Sequence, residues 1–186
     1  MITVLFSGGL DSTTLAQLAR AKGKLHSILF VSYGQAADSA ERNTAIVYSA
    51  RYDIPLEIRQ LPLSGLEAMN GTGSGARVVP GRNLILLGVA ANYAVSKGVE
   101  TVWFGATAAD YQYPDCSPYF LEGIAKVISQ DTGIIIEAPL IHNTKKEVLK
   151  LSRSVGVDLG CIWYCYEPTA NNQPCGECGS CLDHPE

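Results

Sequence analysis

Short apolar runs alternate with longer amphipathic stretches along most of the chain. Residues 2–6, 27–32, 56–61, 101–105 and 134–138 are apolar or β-branched runs and predict strands. Between them, residues 12–22 carry Leu15, Leu18 and Ala19 at helical spacing, and residues 84–97 are rich in Leu and Ala. Residues 38–52, 118–130 and 145–155 also predict helices, the last with Val148, Leu149 and Leu151 on its apolar side. Apolar strands separated by helices predict an α/β fold, a doubly wound parallel sheet covered on both faces. Ligands of such sheets bind beyond the carboxyl ends of the strands, which directs attention to the loops after Phe6, Val31, Leu61 and Phe104. Residues 64–79, with Gly65, Gly71, Gly73 and Gly75, predict a long loop or lid. Periodicity fades near Gly160. The pattern divides the chain into a main domain, residues 1–160, and a small appendage, residues 161–186.

Composition narrows the class of partner. The 14 Lys+Arg against 18 Asp+Glu give a net charge of −4, which argues against the basic face that tRNA or duplex DNA requires. The apolar stretch 84–91 falls short of the ~20 residues a bilayer needs, so no membrane partner is expected. The opening residues carry no basic leader, and a cytoplasmic location is the expectation. Thiols stay reduced there, so the six cysteines need an explanation other than disulfides.

The first strand runs into Ser7-Gly8-Gly9-Leu10-Asp11-Ser12. Two glycines let the backbone turn tightly and approach a ligand. Free N–H groups at the start of the next helix face an anion, and Ser7, Ser12 and Thr13 add hydroxyl donors. The chain has no G-x-x-x-x-G-K-[ST] motif, so this is a phosphate cradle without the Walker lysine. Asp11 suits a Mg²⁺ ion or the loop's own N–H groups; the plainer alternative is an ordinary capped βα turn. Val79-Pro80-Gly81-Arg82-Asn83 precedes the apolar helix, where Arg82 offers a planar fork for phosphate or carboxylate, or lies solvated in a turn. Tyr113-Pro114-Asp115-Cys116 falls at the expected ligand edge, or is a Pro turn capping a helix.

Cys165-x9-Cys175-x2-Cys178-x2-Cys181 places four thiols within 17 residues. Zn²⁺ is the usual occupant of a closed four-cysteine site, and an iron–sulfur cluster is the rival. Cys161 is left over as a buried thiol, and His184 is a spare ligand. Trp163, Tyr164 and Tyr166 either pack the metal knuckle or form a stacking wall for a purine-like ring.

The string Ser-Gly-Gly-x-Asp-Ser after a first strand resembles the pyrophosphate loop of the ATP pyrophosphatase superfamily, whose members split ATP into AMP and pyrophosphate to adenylate an oxygen. With Val-Pro-Gly-Arg-Asn, Tyr-Pro-Asp-Cys and the cysteine spacing, the resemblance narrows to the 7-cyano-7-deazaguanine synthase family, over almost the whole chain from Phe6 to Cys181. It implies an adenine nucleotide alpha hydrolase-like sheet with a zinc-binding appendage. It also implies conversion of 7-carboxy-7-deazaguanine, ammonia and ATP to 7-cyano-7-deazaguanine (preQ0) through adenylated intermediates, in a homodimer. The resemblance assigns Phe6, Ser7, Gly8, Gly9, Leu10, Asp11, Ser12, Thr13 and Thr14 to ATP, with Asp11, Ser12, Arg82 and Lys145 as the catalytic set. Lys145 matches a family lysine as a point charge near the phosphates; a solvated helix-start lysine is the plainer reading. Tyr33, Gln35, Arg82, Asn83, Tyr113, Asp115 and Cys116 would contact the substrate, Mg²⁺ would accompany ATP, and Cys165, Cys175, Cys178 and Cys181 would hold Zn²⁺.

Several family positions differ. Ser32-Tyr33-Gly34-Gln35-Ala36-Ala37 stands where relatives carry His-Tyr-x-Gln-Arg-His, and Ser117 stands in place of Arg. The acidic residue expected near Thr107–Ala109 is replaced, although Asp110 remains, and five residues follow Cys181 where relatives carry Arg and a short extension. These changes leave ATP use intact and bear on substrate contacts. The alternatives are a synthetase that stops at 7-amido-7-deazaguanine, a tRNA-modifying adenylase or sulfurtransferase of the same superfamily, and a nucleotide-binding or zinc-knuckle module without catalysis.

Overall fold

The computed structural model describes residues 1–61 and 79–182. Most of the long loop expected at 64–79, and His184, lie outside the described residues. Five parallel strands form one sheet in the order β3-β2-β1-β4-β5. They are β1 (Ile2–Leu5), β2 (Leu25–Ser32), β3 (Leu56–Gln60), β4 (Thr101–Trp103) and β5 (Ile135–Glu137). Strand β1 pairs with both β2 and β4, and the chain leaves β1 toward one face of the sheet and β4 toward the other. That divergence opens a crevice at the carboxyl end of β1.

The strands read as continuous apolar runs because both faces are covered. Along β2, Ile28 and Phe30 enter one core with Leu15, Ala19, Tyr48 and Val148. Leu29 and Val31 enter the other with Leu87, Ala90, Ala94, Val102, Phe104 and Ile128. Successive side chains of a strand point to opposite faces, and the parallel arrangement buries both. The first core is roofed by α1 (Leu10–Ala21), α2 (Asp38–Tyr52) and α5 (Lys145–Ser154); the second by α3 (Arg82–Lys97) and α4 (Pro118–Thr132).

The expected elements appear with small shifts. α1 begins at Leu10 rather than residue 12, so Asp11 and Ser12 belong to its first turn. α3 begins at Arg82, making that residue helical rather than part of the preceding loop. β4 stops at Trp103, although the Phe104 N–H still bonds the Glu137 carbonyl at 3.1 Å. Two of the later helices start on side-chain caps. Ser117 accepts from the Phe120 N–H at 3.1 Å to start α4, and Thr144 and Glu147 form a capping box at α5. No helix is long and apolar enough to cross a membrane among the described residues.

The last segment is tied to the main domain. Ile162 is buried, and the Trp163 N–H donates to the Gly8 carbonyl at 2.8 Å. The cysteine knuckle therefore leaves the domain directly from the loop after β1.

Candidate active site

The loop after β1 is shaped by its own small side chains. Gly8 has φ +79, a left-handed conformation that favours glycine, and an added Cβ would lie 2.7 Å from Thr44 Cγ2. The Ser7 N–H donates to Ser12 Oγ at 3.3 Å, and Ser12 Oγ–H donates to the Gly9 carbonyl at 3.2 Å. Ser7 and Ser12 hydroxyls also meet at 3.3 Å. The result is a fixed concave turn at the N-terminus of α1, where unpaired N–H groups and the helix dipole favour phosphate oxygens. Gly105, after β4, closes the other wall: a Cβ there would come 3.1 Å from Asp11 Cβ.

Acidic and basic groups meet at this wall. Burial, then the nearby Asp110 carboxylate, push Asp11 up to about 6; Lys145 partly offsets them. Asp110 is held in place, its Oδ2 accepting from the Thr107 N–H at 2.9 Å and Oγ1–H at 2.7 Å. Two neighbouring carboxylates beside an anion-favouring turn form a hard-oxygen set suited to a divalent cation. Lys145 is the first residue of α5 and exposed.

A second cluster lies at the ends of β2 and α3. Burial opposes the charge of Arg82, but Tyr33, Asp115 and Cys116 outweigh it and raise its pKa; the Arg82 side chain hydrogen-bonds Tyr33. Asn83 Nδ2 donates to the Asp115 carbonyl at 3.0 Å and to Cys116 Sγ at 3.3 Å, while the Asn83 N–H donates to Asp115 Oδ2 at 3.1 Å. These bonds lock the Tyr113–Cys116 turn to the start of α3. Burial, then Asp115 and Asp110, push the Cys116 thiol up to about 12. Cys116 is thus neutral and a poor nucleophile.

The expected residues divide by role. Ser7, Gly8, Gly9, Asp11, Ser12 and Lys145 converge on the cradle; Tyr33, Arg82, Asn83, Asp115 and Cys116 converge on the second cluster. Gln35 is fully engaged, its Oε1 accepting from the Tyr33 N–H at 2.9 Å and its Nε2 donating to the Val31 carbonyl and to Glu41. Tyr113 is half-buried against the core under α3 and α4. Phe6 packs in the other core, 4.9 Å from the Tyr48 ring, and Leu10 packs against that core. Thr14 Oγ1–H bonds back to the Leu10 carbonyl at 2.7 Å. Thr13 lines a cavity of ≈ 20 Å³ between α1 and α2, with Tyr48, Asp158 and Cys161. That volume holds about one water and excludes a nucleotide. Cys161 is exposed rather than buried, with its thiol donating to Asp158 Oδ2 at 3.3 Å.

Glu41 was not predicted. It lies in the first turn of α2 and accepts from Gln35 Nε2 at 3.0 Å. Burial pushes it up to about 6, against the pull of Gln35 and Arg82. The only signal in the chain is an acidic residue six positions after Gln35, which a helix pattern assigns to solvent.

The four knuckle cysteines form one metal-binding group, with all four Sγ atoms within 4.8 Å of one another. Cys165–Cys175, Cys175–Cys181 and Cys178–Cys181 Sγ atoms lie 3.5, 3.8 and 3.4 Å apart. A tetrahedral ion with ~2.3 Å bonds to sulfur requires S–S edges of about 3.8 Å, so the set fits a single ion. A four-iron cluster carries one thiolate per iron and spreads them further. Backbone N–H groups of Cys175 and Cys178 point at Cys165 and Cys175 Sγ, each at 3.3 Å. Burial opposes ionisation of Cys178, but hydrogen bonds bring it down to about 6. Burial, then Asp110 and Tyr113, raise the Tyr166 hydroxyl against the pull of Lys145, so the knuckle borders the cleft.

A parallel sheet with a glycine-turned loop at its switch point defines a doubly wound α/β protein with an anion-favouring crevice. Solved structures share this fold at low identity. A predicted subunit of a tRNA methyltransferase from Methanocaldococcus jannaschii matches with TM-score 0.57 and 16% identity, over 82% of this chain and 73% of that one. The U34-tRNA thiolase NcsA of Methanococcus maripaludis, solved with its [4Fe-4S] cluster, matches with TM-score 0.57 and 14% identity, over 91% and 60%. Sequence is more specific: the family model described as "Queuosine biosynthesis protein QueC" matches residues 1–185, and the chain belongs to that family. Among its relatives, the 7-cyano-7-deazaguanine synthase of Methanospirillum hungatei is 36% identical, over 95% of this chain and 89% of the relative. That of Marinobacter nauticus is 35% identical, over 100% and 90%.

Proposed function

We propose that this chain is a 7-cyano-7-deazaguanine synthase, making preQ0 from 7-carboxy-7-deazaguanine, ammonia and ATP. The observation that carries the reading is the joining of two clusters in one crevice, in a chain of the QueC family. Asp110 acts on Asp11 beside the Ser7–Ser12 cradle and on the neutral Cys116, which neighbours Arg82 and Asp115. The substrate carboxylate oxygen attacks the α-phosphorus of ATP, forming an acyl adenylate and releasing pyrophosphate. Ammonia attacks the acyl carbon, AMP leaves, and a proton is lost to give the amide. The amide oxygen then attacks the α-phosphorus of a second ATP and releases pyrophosphate; loss of AMP and of both amide protons yields the nitrile. No protein nucleophile is needed, in keeping with the high pKa of Cys116.

The Ser7–Ser12 loop orients the phosphates through N–H groups and hydroxyls. Asp11 and Asp110 would hold Mg²⁺, which supplies charge neutralisation at the phosphates; Lys145 adds a point charge. Arg82, held by Tyr33, would orient the substrate carboxylate with its fork. The knuckle thiolates would hold a structural Zn²⁺, closed by four protein ligands. A cytoplasmic homodimer using free ammonia completes the reading. A synthetase that stops at the amide is the second reading. It is favoured by Ala36 and Ala37 in the family's basic positions and by Ser117, whose hydroxyl is committed to capping α4.

Mass spectrometry of products from ATP, ammonium and 7-carboxy-7-deazaguanine tests both. Nitrile formation is expected. Accumulation of 7-amido-7-deazaguanine, with no conversion of added amide, selects the second reading; no pyrophosphate release at all rejects both.

A further inference from the structure

Glu41 is the one carboxylate of the second cluster that the proposed chemistry leaves without work. Its Oε2 accepts a single hydrogen bond, from Gln35 at 3.0 Å, and Oε1 accepts none among the described residues. Its neighbours are otherwise engaged. Asp38 Oδ2 is paired to Arg42 at 2.8 Å, and its Oδ1 is enclosed with no partner among the described residues. Asp115 Oδ2 is spent on the Asn83 N–H. Arg82 hydrogen-bonds Tyr33 and reaches Glu41 only through space.

The Glu41 carboxylate is held rather than floating. Gln35 is itself anchored at both ends, to the Tyr33 N–H at 2.9 Å and the Val31 carbonyl at 3.3 Å, so its remaining N–H fixes Glu41 in direction. The same turn of α2 borders the phosphate loop: a Cβ on Gly8 would lie 3.6 Å from the Glu41 carbonyl. A substrate with its acyl group at the loop therefore has a recessed, oriented, acceptor-rich carboxylate beside it. A carboxylate has acceptor sites only, and two adjacent oxygens match two adjacent parallel N–H donors. Adenine offers one donor and one acceptor on its pairing edge and does not satisfy such a group. A 2-aminopyrimidinone edge, with N1–H beside an exocyclic 2-amino group, does.

We infer that Glu41, oriented by Gln35, reads the N1–H and 2-amino edge of a guanine-type base and sets the specificity of the substrate pocket. The inference rests on the proposed substrate class. It makes Gln35 a positioning residue rather than a substrate contact.

The test is calorimetric binding of 7-carboxy-7-deazaguanine and its 2-desamino analogue to the metal-loaded full chain. A hydrogen bond to a charged group accounts for about 10–10²-fold in affinity. The wild type should prefer the parent base by that factor. E41Q should lose it for the parent and bind the analogue within about threefold of wild type. Equal binding of the two bases by wild type, no binding of either, or a preference retained in a folded E41Q overturns the assignment. The wild-type comparison decides even if E41Q does not fold. Turnover is scored separately. A wild type with the preference but no pyrophosphate release defeats the proposed reaction and leaves Glu41 standing. Nitrile synthesis without the preference defeats Glu41 alone.

Discussion

Replacing Gly8 with Ala perturbs the loop at its tightest point. Two costs arise. A non-glycine residue at φ +79 pays about 1–2 kcal/mol for the left-handed conformation. The new Cβ would also sit 2.7 Å from Thr44 Cγ2 and 2.8 Å from Thr44 Cβ, where 3.4 Å begins ordinary contact. Overpacking of this kind costs about 1–3 kcal/mol. Thr44 cannot yield freely, because its hydroxyl is bonded to the Ala40 carbonyl at 3.0 Å and it sits mid-helix in α2. The sum is roughly 2–5 kcal/mol, and for a domain of this size each kcal/mol lowers Tm by about 2–4 °C. Thermal melting should therefore fall by roughly 4–20 °C. Pyrophosphate release should fall by about 10²-fold, the scale for misplacing reacting groups by an ångström. Thr44→Gly in the Gly8→Ala background removes both clashing atoms. A double-mutant cycle should then show about 1–3 kcal/mol of favourable coupling, leaving only the φ penalty. A Gly8→Ala protein that melts within about 2 °C of wild type, or a cycle with no coupling, refutes the close approach of loop and helix.

Asp11→Asn should cut pyrophosphate release by at least about 10²-fold while leaving the chain folded; near-normal release removes Asp11 from the phosphate machinery. The same substitution tests pH dependence. Asp11 is raised from 3.8 to about 6, so its contribution favours the folded state most below pH ~4 and is lost as pH rises to ~6. Wild-type Tm relative to Asp11→Asn should thus increase as pH drops from 7 to 5, and a flat difference refutes the shift. Elemental analysis should find one Zn²⁺ per chain, and Cys178→Ser should lose it and lower Tm; iron with labile sulfide, or no metal in wild type, contradicts this.

The sheet was legible because its strands are buried on both faces. Residues 27–32 read as one apolar run whose alternate members, Ile28 and Phe30 against Leu29 and Val31, serve separate cores. Helix starts were less legible. Leu10 opens α1 although the periodic residues begin later, because Gly9 supplies an extended N-cap with no side chain to announce it. The glycine turn after β1 and the cysteine set were legible as local strings. The second cluster was legible only in part. Arg82, Asn83, Asp115 and Cys116 lie in marked motifs, but Glu41 reaches the site by the fold of α2 over the β1 loop. Its signal is spatial, and spacing along the chain does not carry it.

The same fold-level effect changes what the cysteine segment means. Composition separates residues 161–186 from the rest, yet the backbone joins them at the most sensitive place. The Trp163 N–H holds the Gly8 carbonyl, the Trp163 carbonyl would meet a Cβ on Gly9 at 3.4 Å, and Trp163 Nε1–H donates to the Cys165 carbonyl at 2.7 Å. Trp163 thus links the two regions, its indole to the first knuckle cysteine and its backbone to both glycines of the loop after β1. Four thiolates crowded within 4.8 Å repel unless protonated or neutralised, so an ion that closes the knuckle also fixes the carbonyl Trp163 grips. The loop's left-handed turn is then held from two sides, by Thr44 on α2 and by Trp163 on the knuckle. A chain that lost the knuckle would keep its sheet and both cores, because none of their main side chains comes from beyond Val148 and Leu151. It would lose the outer support of the loop after β1, so the appendage serves the proposed site more than it serves the core.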